Sequence, residues 1–315
     1  MTDGIETPSD KLLFKPDSLW QKTVKVTQLA RQTGALQSVE TDCHFIEQND
    51  ITFVVRSLSN LKRKEKARQQ QQKKSQKTGQ YYDPFLPYEE DLFVSDLTPT
   101  HLCLLNKFNV VEHHLLIVTR DFELQENLLN FNDFVALWAC LQEIDGLAFY
   151  NGGETAGASQ KHKHLQLVPL PFFPNTPLLP ITPIINQTKF NDSIGSIAQF
   201  PFQNAIAKID LTSFDNPFSA AKAMQDCSHS LLQQVGLTVN PHSEQQPQPY
   251  NLLATRDWML IIPRSGESFQ KISVNSLGFA GSLFVKNRDS WELLQQITPI
   301  KLLSAVSIPT RSLNL

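Results

Sequence analysis

Apolar and polar positions alternate along this chain with two different periods. Short β-type runs come first, at Cys43 to Glu47 and at Thr52 to Leu58. Two more follow at Leu102 to Phe108 and His114 to Thr119, and the five residues between them make the pair antiparallel neighbours. Between Phe134 and Ile144 the period changes: Phe134, Leu137, Trp138, Leu141 and Ile144 recur at helical spacing. Asn132 or Asp133 is expected to cap that helix and Gly146 to end it. A strand at Leu147 to Tyr150, a glycine-rich loop and a strand from His162 to Val168 complete the first half.

Six prolines between Pro169 and Pro183 forbid regular structure and mark an exit segment. The second half predicts a helix from about Ser219 to Val235 and a polar loop from Asn240 to Pro249. A hairpin follows, with strands at Tyr250 to Thr255 and Trp258 to Pro263, turning at Arg256-Asp257. A loop-and-helix region from Asn275 to Asn287 comes next. Strand-rich halves with a few amphipathic helices predict an α+β protein whose helices cover one side of antiparallel sheets. The expected division is an N-terminal part at 1–180 and a C-terminal part at 181–315, together forming one catalytic unit.

Composition narrows the function classes. The 315 residues are 41% hydrophobic and 19% charged, which excludes whole-chain disorder. No apolar run approaches the ~18 residues a membrane span needs. The first residues lack the layout of a secretory signal. Four scattered cysteines without a CxxC pair point to reduced thiols in a cytoplasmic protein rather than a disulfide framework or zinc knuckle. The net charge of −3 hides an asymmetry: residues 62–77 hold eight Lys/Arg and one acid, so the rest of the chain sums to −10. That Gln-rich tract lacks aromatics for stacking and reads as a solvated, disordered loop at 62–78, not a nucleic-acid platform.

The chemistry concentrates in Asn151 to Gln166, NGGETAGASQKHKHLQ. Glycines at 152, 153 and 157 let backbone N–H groups approach an anion closely. In the strand behind the loop, period two places His162, His164, Gln166 and Val168 on one face and Lys163, Leu165 and Leu167 on the other. Two imidazoles and an amide in a row are costly to bury without partners. A catalytic strand, a structural polar network and metal chelation are the competing readings. A third metal ligand is missing nearby, because amides are poor zinc ligands.

The run His162-x-His164-x-Gln166 after a Gly/Ser loop resembles the transferase branch of the histidine-triad superfamily. Four blocks in order narrow the resemblance to diadenosine tetraphosphate phosphorylases, also called ATP adenylyltransferases. They are Leu104 to Thr119, Phe149 to Gln166, Tyr250 to Ser265 and Asn275 to Asn287. The resemblance implies a histidine-triad-like fold and phosphorolysis of diadenosine tetraphosphate to ATP and ADP through an adenylyl-histidine. It assigns His164 as the nucleophile, His162 as its orienting partner and Gln166 as an amide that contacts the transferring phosphoryl. Neutral imidazole is a competent nucleophile near pH 7, and an amide cannot deprotonate water, which favours phosphate over water as acceptor.

The remaining substrate contacts implied by the resemblance are Lys64, Asn106, Lys107, Asn151, Gly157, Ala158, Ser159, Gln160, Asn275, Ser276, Leu277, Ser282 and Lys286. For Lys64 the alternatives are Lys62 and Arg63. Leu277 stands where the family usually has a small hydroxyl residue, and Glu112-His113 replaces a Pro-Glu pair. No tightly bound cofactor or protein-held metal is expected; Mg²⁺ arrives with the polyphosphate. The expected partners are small nucleotides (diadenosine tetraphosphate, ATP, ADP) and phosphate, with neither nucleic acid nor membrane, and the chain is a monomer or homodimer. The competing functions are a related histidine-triad transferase or hydrolase acting on another nucleotide or sugar-phosphate and a non-catalytic nucleotide sensor. Lack of CxxC argues against zinc-bearing uridylyltransferases.

Overall fold

A computed structural model of the protein describes residues 11–58, 82–172 and 179–310. A hairpin of β1 (Thr41–Gln48) and β2 (Ile51–Leu58) gains a parallel third strand, β15 (Ser282–Val285), from far along the chain. The main sheet has ten strands, all pairing antiparallel. Its N-terminal members are β3 (Phe93–Asp96), β4 (His101–Leu105), β5 (Leu115–Thr119), β6 (Gly146–Asn151) and β7 (His164–Pro169). The C-terminal members are β8 (Phe190–Asn191), β9 (Ile194–Gly195), β10 (Ala205–Lys208), β11 (Tyr250–Ala254) and β12 (Trp258–Pro263). They lie in the order β3-β4-β5-β7-β6-β11-β12-β10-β9-β8, so the pairing of β6 with β11 joins the two halves of the chain edge to edge. A two-stranded ribbon, β13 (Ser268–Phe269) with β14 (Ile272–Ser273), sits apart from both sheets.

Period two sorts the main sheet's side chains cleanly. Cys103, Leu105, Leu115, Ile117, Leu165, Leu167, Leu252 and Ala254 point to one face. There they pack against helices α1 (Leu19–Thr33), α2 (Phe131–Glu143) and α4 (Pro217–Gln234). On the other face Phe149, Val168, Leu253, Leu260 and Ile262 pack with the three-stranded sheet. Helices α5 (Ser276–Phe279), α6 (Arg288–Ile297) and α7 (Pro299–Ala305) complete that second core, beside the short α3 (Thr182–Asn186). A third, smaller cluster of Phe85, Leu102, Leu104, Leu116 and Val118 covers the same face at the β4–β5 end. The face that carries His164 and Gln166 thus lies between two apolar clusters, on the side away from α1, α2 and α4.

The antiparallel α+β architecture agrees with the sequence expectation, and several boundaries move for identifiable reasons. Helix α2 is capped by Asn130, not Asn132 or Asp133. The Asn130 side chain accepts from the Asn132 and Asp133 amides at 2.9 and 3.2 Å, and the Asp133 carboxylate accepts from the Asn130 N–H at 2.7 Å, a reciprocal capping box. Gly146 opens β6 rather than stopping the helix; a Cβ there would meet the Val168 carbonyl oxygen at 2.8 Å. Strand β4 ends at Leu105, leaving Asn106 to Phe108 in the turn. Helix α1 escaped the periodicity reading because its buried positions are Leu19, Thr23, Thr27 and Ala30. The two threonines satisfy their hydroxyls on carbonyls one turn back, at 2.8 Å each, which makes them tolerable inside. The basic tract 62–78 lies outside the described residues. Among the described residues no helix is long and apolar enough to cross a membrane, and all four cysteines are free.

Candidate active site

The site is built on β7, clamped from both sides. Its helix-facing neighbour Lys163 is fully buried, with Nζ 2.7 Å from Asp133 and 3.1 Å from Glu123 and from the Leu128 carbonyl. Asp133 also meets His101 Nε2 at 3.1 Å. Burial alone would raise the Asp133 carboxyl, but Lys163 and His101 outweigh it and hold it below the usual carboxylate range. From the edge, the buried Gln125 amide accepts the His164 N–H at 2.9 Å. The same amide donates to the His164 and Asn151 carbonyls at 3.1 and 2.9 Å. One side chain therefore ties β7 to the end of β6.

The strand begins at His164 and not at His162, which stands before it in an isolated bridge opposite Leu124, yet both imidazoles pack against Phe85 on the face that period two predicts. His164 Nδ1 donates to the His162 carbonyl at 2.9 Å, which leaves the lone pair on Nε2. Burial lowers the imidazole from 6.5 to about 4, so the ring is neutral and nucleophilic at physiological pH. His162 has an acceptor at each nitrogen: Asp83 Oδ2 at 2.7 Å from Nδ1 and the Thr119 carbonyl at 2.8 Å from Nε2. Its ring cannot swing toward a substrate without breaking both, so it fixes the strand and through its carbonyl the tautomer of His164. Phe85 packs against both imidazoles, with centroids 5.6 and 5.3 Å away.

Gln166 meets His114, whose Nε2 lies 2.9 Å from the amide oxygen. Asn106 reaches the other nitrogen of His114 at 3.3 Å. Lys107, at the same turn, is ion-paired with Glu89 on the surface. In the glycine-rich loop Gly157 adopts a φ of +94°, and a Cβ would meet the Val274 carbonyl at 2.7 Å and the Asn275 Cα at 2.8 Å. That absence of a side chain is what lets the N-terminal loop touch the C-terminal block.

The contact is locked by a buried polar lattice. Asn151 Oδ1 accepts from Asn251 Nδ2 at 2.9 Å, Ser276 N–H at 2.9 Å and Ser276 Oγ at 2.8 Å. Arg264 Nη1 donates to Asn251 Oδ1 at 2.6 Å and to the Ala156 carbonyl at 3.1 Å, with three further carbonyls around the same guanidinium. Burial lowers Arg264 to about 10.

Of the residues singled out from sequence, His162, His164, Gln166 and Asn106 come together on one stretch of the face. Asn151, Gly157, Asn275 and Ser276 meet across the seam between the halves. Ala158 is half-buried and Ser159 exposed at the loop's outer end, with Gln160 next to them. Two expectations require correction. Ser276 is fully buried and spends its hydroxyl on Tyr150, Asn151 and Asn251, so it builds the lattice rather than reaching a ligand. The Leu277 side chain lies in the second core and its N–H is taken by Asn275 Oδ1, so neither is open to substrate. Ser282 is buried in β15, whereas Lys286 beyond that strand is exposed. Lys64, with Lys62 and Arg63, lies outside the described residues.

Sequence reasoning missed Asp83, His114, Gln125, Asn251 and Arg264. A signal existed for three. His114 shares parity with Leu116, which pairs with Gln166, while Asn251 and Arg264 sit inside a recognised block. Asp83 and Gln125 carry no local pattern; only the fold brings them to β7.

Comparison with known proteins identifies the family. The family model for the Ap4A phosphorylase N-terminal domain matches residues 9–187, and that for the ATP adenylyltransferase C-terminal domain matches 198–309. Diadenosine 5',5'''-P1,P4-tetraphosphate phosphorylase 2 of Saccharomyces cerevisiae is 30% identical over 68% of this chain and 72% of its own length. The crystal structure of yeast Ap4A phosphorylase Apa2 is 24% identical with a TM-score of 0.75, covering 94% of this chain and 96% of that one. The structure of the same yeast protein in complex with Ap4A has a TM-score of 0.75 at 23% identity, covering 95% and 100%. Its N-terminal model spans more than half of the residues, and the chain belongs to the Ap4A phosphorylase family.

Proposed function

We propose that this protein cleaves diadenosine tetraphosphate with inorganic phosphate, releasing ATP and ADP through an adenylyl-His164 intermediate. The observation that carries the reading is the His164 ring itself. Its Nδ1 proton is held by the His162 carbonyl and its Nε2 lone pair is kept unprotonated by burial.

In the first step the Nε2 lone pair attacks the terminal adenylyl phosphorus in line. The P–N bond forms as the bridging P–O bond breaks, and ATP leaves with the electron pair. The positive charge that develops on the ring is stabilised by the Nδ1–H bond to His162 O. In the second step a phosphate oxygen attacks the same phosphorus, the P–N bond returns its electrons to Nε2, and ADP departs. A polyphosphate leaving group and an anionic acceptor need no general acid or base, so Gln166 suffices opposite the phosphoryl oxygens. The glycine-rich loop around Gly157, Ala158 and Ser159 offers backbone N–H groups to the phosphates. Lys286 supplies exposed positive charge, and Lys107 does so if Glu89 yields it.

Mg²⁺ enters with the polyphosphate. Mixing the protein with labelled diadenosine tetraphosphate and phosphate tests the reading. ATP plus ADP, with an acid-labile protein–AMP adduct lost in His164→Ala, is the expected result. ATP plus AMP means hydrolysis and overturns the role given to Gln166, while absence of an adduct overturns the intermediate.

A further inference from the structure

We infer that His114 is a positioning residue that decides which end of the Gln166 amide faces the transferring phosphoryl group. This rests on the phosphorylase reading above and extends it to a residue outside the histidine-x-histidine-x-glutamine strand.

The chain of donors and acceptors has one consistent direction. The Phe108 N–H donates to Asn106 Oδ1 at 3.2 Å, which fixes the rotation of the Asn106 amide. Its NH₂ group, a donor only, then points at His114 Nδ1, 3.3 Å away. Nδ1 must accept, so the neutral ring carries its proton on Nε2. That N–H meets Gln166 Oε1 at 2.9 Å. With its oxygen engaged, Gln166 is left with two N–H donors facing the other way. A backbone bond from Asn106 N to His114 O, 2.8 Å long, closes the turn and holds both side chains in register. Phe149 backs the His114 ring at 5.9 Å, and the residue as a whole is 7% exposed.

The chemical consequence follows from the symmetry of an amide. Oxygen and NH₂ ends have nearly the same shape, so an untethered glutamine beside a polyphosphate samples both. The oxygen end repels the non-bridging oxygens that gain charge in the transition state, while the NH₂ end stabilises them. His114 removes the wrong orientation before substrate arrives.

The test is a double-mutant cycle between His114→Phe and Gln166→Ala, with kcat and KM measured for diadenosine tetraphosphate at saturating phosphate. His114→Phe keeps the ring and removes the N–H. It is expected to lower kcat roughly 10- to 100-fold, less than the ~100- to 1000-fold of a donor removed outright because the Gln166 amide remains, with KM changed less than about 3-fold. In the Gln166→Ala background the same change should cost less than about 3-fold. His114→Gln, whose terminal NH₂ can take the place of the Nε2–H, should recover most of the loss. Asn106→Ala, which frees the tautomer, should couple to Gln166 in the same way, and it carries the cycle if His114→Phe does not fold. Multiplicative losses in the cycle, a fully active His114→Phe, or a His114→Gln no better than His114→Phe each overturn the inference. Failure of the unaltered protein to yield ATP and ADP instead overturns the phosphorylase reading.

Discussion

At the scale of single residues, the site depends on sorting two neighbouring imidazoles. His164 is buried and pushed to about 4, so its reactivity should persist far below the usual histidine range. The acid limb of adduct formation is expected near pH 4, not near 6.5, in single-turnover measurements from pH 3.5 to 8. The same depression has a stability consequence. The unfolded chain binds a proton to this histidine below pH 6.5 and the folded chain only below about 4. The contribution is therefore full above 6.5 and declines as pH falls toward 4, by about 3 kcal/mol at most. Denaturant titrations of wild type and His164→Asn at pH 7 and 4.5 should show a smaller pH-dependent loss in the variant. His162 works through its contacts instead. Asp83→Asn keeps an acceptor in place but removes the charge, and it is expected to slow adduct formation roughly 10-fold with little change in KM. An Asp83→Asn rate equal to wild type would limit Asp83 to packing.

Among elements, β7 and the glycine-rich loop carry the heaviest constraints. Lys163, fully buried just before β7 on the helix side, ties that segment to helix α2 through Asp133. Lys163→Met would leave Asp133 buried without its cation, and loss of one partner of such a pair costs about 3–5 kcal/mol. Chemical denaturation should report that loss, and Asp133→Asn combined with Lys163→Met should recover part of it. Gly157→Ala adds a methyl to a residue at φ +94°, within 2.7 Å of the Val274 carbonyl. Positive φ at a non-glycine residue costs about 1–2 kcal/mol before the clash is counted. The loop must shift, and the expected outcome is a KM raised at least 10-fold, measurable by steady-state kinetics. A variant with unchanged KM would show that the loop does not contact substrate.

For the whole molecule, the pairing of β6 with β11 and the lattice of Asn151, Asn251, Ser276 and Arg264 join the halves through hydrogen bonds that only the complete chain can form. Arg264→Met takes the Arg264 donor from Asn251 Oδ1 and from the Gly266 and Val274 carbonyls and should destabilise the protein by several kcal/mol on the scale of buried unsatisfied groups. It should also loosen the loop at Ala156, so nucleotide affinity measured by calorimetry falls even where the protein remains folded. Unfolding followed by tryptophan fluorescence and by far-ultraviolet dichroism should coincide in the unaltered chain, because neither half keeps its sheet edge covered alone.

What was legible in the sequence was local. Period two placed His162, His164 and Gln166 on one face and Lys163 and Leu165 on the other, because side-chain alternation in a strand needs no knowledge of the partner strands. The same rule located the β4–β5 and β11–β12 hairpins, although nine residues and not five separate β4 from β5. Helix α2 was visible in its apolar spacing, and α1 was not, since threonines that bond their own backbone imitate an apolar stripe without hydrophobicity. The tertiary structure alone decided the rest. Asp83 comes to His162 from 79 residues away, Gln125 to His164 from 39 and Arg264 to Ala156 from 108. The parallel docking of β15 on β2 is equally remote. The same distance in sequence hid that Ser276 and Leu277 turn inward. A residue type at the right place in a motif states what chemistry is on offer, but burial and the direction of each hydrogen bond come from segments that meet only when the chain has folded.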